Sequence, residues 1–392
     1  MTAKENIAPS LLIISSAPAG RRTTGLLLDK KFAEGMRLYA KNWDGQVGCL
    51  LPESPADQPF GEVFDPSLLP FKVDLHPKGY HLTAKELQGY DIVLCSGDND
   101  QYLHLAEACH KHGKSLFFTI EYIPETRRQI VMLDRNKSIL KKLKSILHIH
   151  LHERRRRKAF SVANGLQANG YPAAQHYHTL NPNTLLYLDN RIDANLLATE
   201  AEMTARRNHL TSGGRLRLIH SGRLEPLKGS QDLIPIACHL RDQKLDFILD
   251  IFGTGSLEVD IREGISRHRL QDHVRILGVA DFATELVPYA RQNGDIFLSC
   301  HRQSDPSCSY LENMGCGLAV IGYNNKMWNA LMQESGAGWA TPLGNWKALA
   351  EKLLEISVNR TDLVIASDNA WRFTKRNLLE NTFNNRVAQL VG

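Results

Sequence analysis

Short apolar runs of strand length alternate with longer amphipathic stretches along this chain, and the rhythm breaks once, in a polar stretch near the middle. Nothing else in the sequence constrains the fold as strongly. Strands that are apolar throughout must be covered on both faces, which is achieved by parallel sheets flanked by helices. In the first half the runs are SLLIIS (10–15), QVGCLL (46–51), DIVLCS (91–96), SLFFTI (115–120), FSVAN (160–164) and TLLYL (184–188), with helices expected over 25–41, 101–112 and 125–146. After the polar crossing at 190–214 the rhythm restarts with LRLIHSG (216–222), LDFILDIF (245–252), VRILG (274–278), DIFLSC (295–300) and LAVIG (318–322). A chain of 392 residues exceeds the size at which one core stops growing. The expected division is a first α/β domain over 1–195, a linker over 196–214, a second over 215–370, and a helical segment over 371–392 able to pack back on the first domain. Two doubly wound domains facing each other bind ligands in the cleft at the carboxyl ends of their strands.

Composition removes several classes of function. With 43% hydrophobic and 23% charged residues the chain is neither disordered nor fibrous. No apolar run reaches the roughly 18 to 20 residues that span a bilayer, and MTAKENIAPS lacks the order of a signal peptide, so a cytoplasmic location is expected. The seven cysteines form no CxxC pair and read as reduced thiols. A basic segment over 137–158 (KSILKKLKS, then ERRRRKAF) has two readings, peripheral contact with the inner membrane surface or a solvated helix face. It lacks the aromatic interleaving of a nucleic-acid binder, so no nucleic acid is expected. His148, His150 and His152 in LHIHLHE, taken at strand period, stand too far apart to share an ion and read as surface histidines.

The chemistry is sought in loops that follow strands. SGRLEPLKGS (221–230) leaves a strand, offers Arg223 and Lys228, and enters a helix at Gly229. A guanidinium, an ammonium and a helix N-terminus together can neutralise a diphosphate. The second loop, within DIFLSCHRQSDPSCSYLENMGCGLAVIG (295–322), offers the backbone amides of Ser307, Cys308 and Ser309 for phosphate or sugar oxygens, and Glu312 for a ribose diol.

Together with FGTGSLE (252–258) and VRILGVA (274–280), these two loops resemble the successive signatures of the retaining glycosyltransferases of family 4, over nearly all of the second domain. The resemblance implies the GT-B fold, two Rossmann-like domains about a central cleft. It implies transfer of a hexosyl-type sugar from a nucleotide-diphosphate sugar to a glycan, lipid-linked or small-molecule acceptor, with retention and with neither metal nor cofactor. By the same resemblance Arg223 and Lys228 hold the diphosphate, Glu312 holds the ribose, the chain near Leu277 meets the base, and Gly253 and Gly255 let the backbone pass beneath the nucleotide. One departure stands out. The family's E-x7-E pair would put its first glutamate at Ser304, where a hydroxyl stands beside the carboxylate of Asp305; either is a candidate for the donor sugar.

In the first domain SSAPAGRRTTG (15–25) resembles the family's glycine-bearing loop, with Gly20 and Gly25 as donor-side candidates. Glu121 follows SLFFTI where relatives often carry a histidine near the reacting carbon; it serves either a substrate hydroxyl or the dipole of the next helix. Two other functions share this fold, a nucleotide-sugar epimerase and a catalytically silent sugar-nucleotide binder. The first needs paired acid and base groups that the sequence does not display. The second is favoured by the missing glutamate.

Overall fold

The computed structural model describes residues 8–58, 61–134 and 137–392. Residues 1–7 of the N-terminal segment and 135–136 of the helix expected over 125–146 lie outside the described residues. The first sheet has seven parallel strands, in spatial order Thr184–Tyr187, Gly165–Asn169, Ser115–Ile120, Ile92–Ser96, Leu11–Ile14, Val47–Pro52 and Lys72–His76. The second has six, in the order Val274–Gly278, Phe247–Phe252, Leu216–Ser221, Ile296–Ser299, Ala319–Tyr323 and Gly338–Thr341. Alternate residues of one strand enter different cores. Leu12 and Ile14 pack with Val93, Leu116 and Phe118, whereas Leu11 and Ile13 pack with Ile92, Leu94 and Phe117 on the opposite face. Burial on both faces explains the unbroken apolar runs, and the GT-B arrangement of two Rossmann-like domains holds.

Several elements differ from the sequence reading. The helix Ile139–Val162 runs through most of FSVAN, and the strand begins only at Gly165. Residues 25–29 form a strand, and the helix expected from Gly25 starts at Lys30, where Asp29 caps it by accepting from the Phe32 amide. That strand belongs to a small antiparallel sheet (Gly20–Arg22, Gly25–Asp29, Gly61–Phe64) whose long-range pairing leaves no local signature. LHIHLHE is helical, so strand period does not apply to its histidines. The polar crossing contains a helix, Glu200–Thr211, opened by a reciprocal Thr199–Glu202 capping box.

After the helix Arg360–Arg376, a last helix, Leu379–Val391, lies against the first domain. Phe383 and Leu390 join that domain's core, and Gln389 donates to the carbonyls of Leu166 and Asn183 at 3.2 and 2.9 Å. Among the described residues no helix is long and apolar enough to cross a membrane.

Candidate active site

The strand Leu216–Ser221 delivers the first loop to the cleft. Pro226–Lys228 form a single 3-10 turn, stopped by Gly229 at φ 70°. A Cβ at Gly229 would stand 1.9 Å from the Cys300 carbonyl oxygen, so only glycine fits, and the close approach presses Lys228 towards the second loop. Lys228 is buried; its Nζ lies 2.7 Å from Asp305 Oδ2 and 3.4 Å from Ser307 Oγ. Arg223 is exposed at the rim and interacts electrostatically with the Tyr122 hydroxyl. The helix after this loop begins later than expected, at Leu233, after a second 3-10 turn Ser230–Asp232. Asp232 at its start makes no capping hydrogen bond; its carboxylate is held by Arg302 and Tyr323 instead.

Gly253 and Gly255 sit where the backbone packs closely. Cβ atoms there would meet the carbonyl oxygens of Gly222 and Leu224 at 2.0 and 2.5 Å. The glycines let the 253–255 backbone lie against the lysine-bearing loop and fix it through Leu224 N–H to Thr254 O at 2.9 Å. Leu277, 40% exposed near the end of its strand, is free to meet a ligand.

In the second loop, Ser304 is committed to the domain interface. Its hydroxyl accepts from the Lys326 amide at 3.0 Å, its own amide donates to Gln129 Oε1, and its carbonyl accepts from Thr126. The Ser304 hydroxyl is therefore not presented to a donor sugar. Asp305 turns to Lys228 through Oδ2, leaving Oδ1 buried without a hydrogen-bond partner. Ser307 and Ser309 share a 2.8 Å hydrogen bond beside the start of the helix Ser309–Gly315. Cys308 donates to Asp189 and accepts from Lys31, and burial pushes its thiol pKa up, so it bridges the domains as a neutral thiol. Glu312 is buried and accepts from Arg191 Nε at 2.7 Å, while that guanidinium stacks 3.7 Å from the centre of the Phe282 ring.

Opposite these loops, the first domain holds a cavity of about 720 Å³. Ile13, Ile14, Phe32, Met36, Leu94 and Val131 supply much of its apolar wall; Glu121, Asp98, Lys31 and Arg127 supply charge. Asp189 and Arg191 line it as well, and the same two side chains bond Cys308 and Glu312, so the cavity opens onto the second loop. Gly20 and Gly25 are not among the lining residues. They shape the small antiparallel sheet, where a Cβ on Gly25 would lie 2.2 Å from the Phe64 carbonyl oxygen; Ser15 and Ser16 of the same loop line the cavity.

Glu121 stands inside the cavity, its Oε1 accepting from Asn169 at 3.3 Å. Burial, then the neighbouring charges of Asp98 and Asp189, push its pKa up to about 7. Asp98 organises this corner: it accepts from the Glu121 and Tyr122 amides and from Arg127 and Arg156. Arg156 is 1% exposed and lies over the rings of Phe160 and Tyr177, so one member of the ERRRRK run is interior structure. Arg386, from the last helix, was not anticipated either. It is buried between Tyr39, Tyr187 and Phe383, with Nε donating to Gln167 Oε1 at 2.9 Å, and it lines the cavity.

Comparison with known proteins places these features. Residues 202–372 match the family model described as Glycosyl transferases group 1. Over 155 residues the chain is 28% identical to the amylovoran biosynthesis glycosyltransferase AmsK of Erwinia amylovora, covering 38% of each protein. Over 129 residues it is 26% identical to the GtfA subunit of the UDP-N-acetylglucosamine–peptide N-acetylglucosaminyltransferase of Streptococcus gordonii, covering 33% of this chain and 24% of that protein. Both matches thus span well under half of the curated relatives. Solved structures align over almost the whole chain. Anabaena HepE in complex with UDP has a TM-score of 0.65 at 16% identity, covering 98% of this chain and 99% of the other. Sucrose-phosphate synthase of Thermosynechococcus elongatus has 0.66 at 14%, covering 98% of each. WaaG, a glycosyltransferase of lipopolysaccharide biosynthesis, has 0.64 at 13%, covering 97% and 100%. A second domain matching the group 1 glycosyl transferases, on a chain with the GT-B fold, supports a GT-B glycosyltransferase.

Proposed function

We propose that this chain transfers a hexosyl-type sugar, with retention of anomeric configuration, from a nucleotide-diphosphate sugar to a lipid-linked acceptor seated in the first-domain cavity. The observation that carries the reading is the buried ammonium of Lys228, held by Asp305 and beside Ser307, with the exposed Arg223 five residues earlier on the same loop. Two cations there neutralise a diphosphate without a metal, and Glu312 exchanges Arg191 for the ribose hydroxyls. UDP and UDP-glucose, the ligands bound to HepE, set the first donors to try. As the bond from the anomeric carbon to the phosphate oxygen breaks, the acceptor oxygen bonds to that carbon from the same face, and its proton passes to the departing phosphate. The protein needs no nucleophile. It holds the partners in line and stabilises charge on the leaving diphosphate.

The acceptor side rests on the helix Ile139–Val162. Ile149 on this helix lines the cavity, while Ile139, Leu140, Leu143, Leu147 and Leu151 are 53–79% exposed. Lys141, Lys142 and Lys144 flank these apolar side chains, and Glu153 is the helix's one acidic residue. Apolar side chains ringed by cations suit an anionic bilayer surface, from which a lipid-linked acceptor reaches the cavity.

The test is a panel of nucleotide-diphosphate sugars screened by thermal shift, followed by transfer to extracted lipid acceptors and NMR of the new anomeric centre. A stabilising donor and a retained configuration are expected. Isomerised donor, inversion, or binding without turnover would each overturn the assignment.

A further inference from the structure

The helical course of LHIHLHE brings His148 and His152 one turn apart on the same face, with imidazole centroids 3.8 Å from each other. Both face Asp100, in the loop after the strand Ile92–Ser96. His148 Nε2 lies 3.6 Å and His152 Nδ1 3.4 Å from the same oxygen, Asp100 Oδ2. Those separations are longer than hydrogen bonds. They lie within about 0.3 Å of the edges of a tetrahedron whose centre stands about 2.0 to 2.1 Å from each ligand, roughly 3.3 to 3.4 Å, which is zinc geometry. Two further observations point the same way. His152 Nδ1 is buried with no hydrogen-bond partner, as a ligand atom awaiting an ion would be. Arg127 stands 3.6 Å from the other oxygen, Oδ1, and so orients the carboxylate with Oδ2 towards the imidazoles.

We infer that Asp100, His148 and His152 bind a borderline divalent cation of the zinc class. Two imidazoles and one carboxylate favour zinc, nickel or copper over magnesium or calcium. His148, 60% exposed on its side chain, leaves the fourth position to water. The ion ties the long helix to the 97–104 loop. That loop carries Asp98, which accepts from the Glu121 amide at 2.7 Å, so the bound metal stiffens the cavity floor and takes no part in sugar transfer.

The experiment needs neither donor nor turnover, so its outcome is independent of the transferase reading. Tag-free protein, stripped with a chelator and dialysed, is titrated with Zn2+ by calorimetry and with Co2+ by visible absorption. One equivalent should bind, with tetrahedral-type cobalt bands. His148→Ala or His152→Ala should each weaken binding by more than the ~10–100-fold that an outer partner is worth, and His150→Ala, an exposed neighbour, should leave it unchanged. Hydrogen exchange across 97–104 should slow on metal addition in the wild type and His150→Ala, and in neither His148→Ala nor His152→Ala. His148→Ala at an exposed position should fold normally, which unchanged apo Tm would verify. Equal affinity in a His148→Ala/His152→Ala double variant, or no binding at about 1 mM ion, overturns the inference.

Discussion

Lys228→Met removes the buried cation on which the proposed donor site rests, but a loss of activity alone would not separate catalysis from folding. The Lys228 and Asp305 side chains are only 8% and 12% exposed, and Asp305 Oδ1 already lacks a partner. Deleting the ammonium strands the carboxylate, a change that costs about 3–5 kcal/mol when a buried pair is broken from one side. Replacing both charges with uncharged groups of similar size is close to neutral. Lys228→Met should therefore unfold at lower urea, and Lys228→Met/Asp305→Asn should regain most of that loss. Turnover should not follow. The preorganised cation is worth about 10²–10³ in kcat, close to 3–4 kcal/mol, and both variants should lose it. Urea denaturation followed by fluorescence and nucleotide release from the donor identified by thermal shift give the two readouts. A double variant with wild-type stability and wild-type kcat would refute the role of Lys228.

Four other outcomes follow from the geometry. The Glu121 pKa of about 7 lies above its ordinary value of 4.5. The folded state thus keeps a proton that the unfolded chain releases, and stability falls as pH rises from about 4.5 to 7, by up to about 3 kcal/mol. Glu121→Gln should abolish that slope and be the more stable protein at pH 8; an unchanged pH profile of Tm would refute it. Asp295 behaves oppositely: fully buried and paired with Arg217 and His209, its pKa is lowered to about 2, burial opposing and the partners prevailing. Its contribution is present above the ordinary value of 3.8 and lost as pH falls towards 2. Asp295→Ala should cost about 3–5 kcal/mol at pH 7 in urea denaturation. Leu140→Glu/Leu143→Glu/Leu147→Glu should abolish sedimentation with anionic vesicles while Tm is kept, and equal binding would remove the membrane reading. Arg191→Ala frees Glu312, so it should tighten nucleotide binding in calorimetry if that carboxylate grips the ribose, and weaken it if the guanidinium itself holds the ligand.

The sheets were legible because strands such as DIVLCS and LAVIG are apolar on both faces, a property visible locally. FSVAN misled because Phe160, like Ala159 just before it, is a buried helix position, and five residues do not separate the two periods. The Gly20–Asp29 hairpin was hidden because its third strand, Gly61–Phe64, arrives more than thirty residues later. For the candidate site, loop position and charge singled out Arg223, Lys228 and Glu312, but the partners that Lys228 and Glu312 have in the structure were not legible. Arg191 and Asp305 meet them only through the fold. Likewise Arg156 lay concealed in a run of four arginines, and only the tertiary packing distinguishes the one that lies between aromatic rings.

The last helix has a consequence for how the molecule is made. Phe383 and Leu390 complete the core of a domain whose final strand ends at Tyr187, so that domain emerges from the ribosome roughly 200 residues before its own closing piece. At about 5–20 residues per second the wait is on the order of 10–40 s. Through that interval the apolar seat for Phe383 beside Tyr39 stays open to water. A nascent first half should therefore engage chaperones that the finished protein ignores, and supplying residues 379–391 as a free peptide should shorten that engagement.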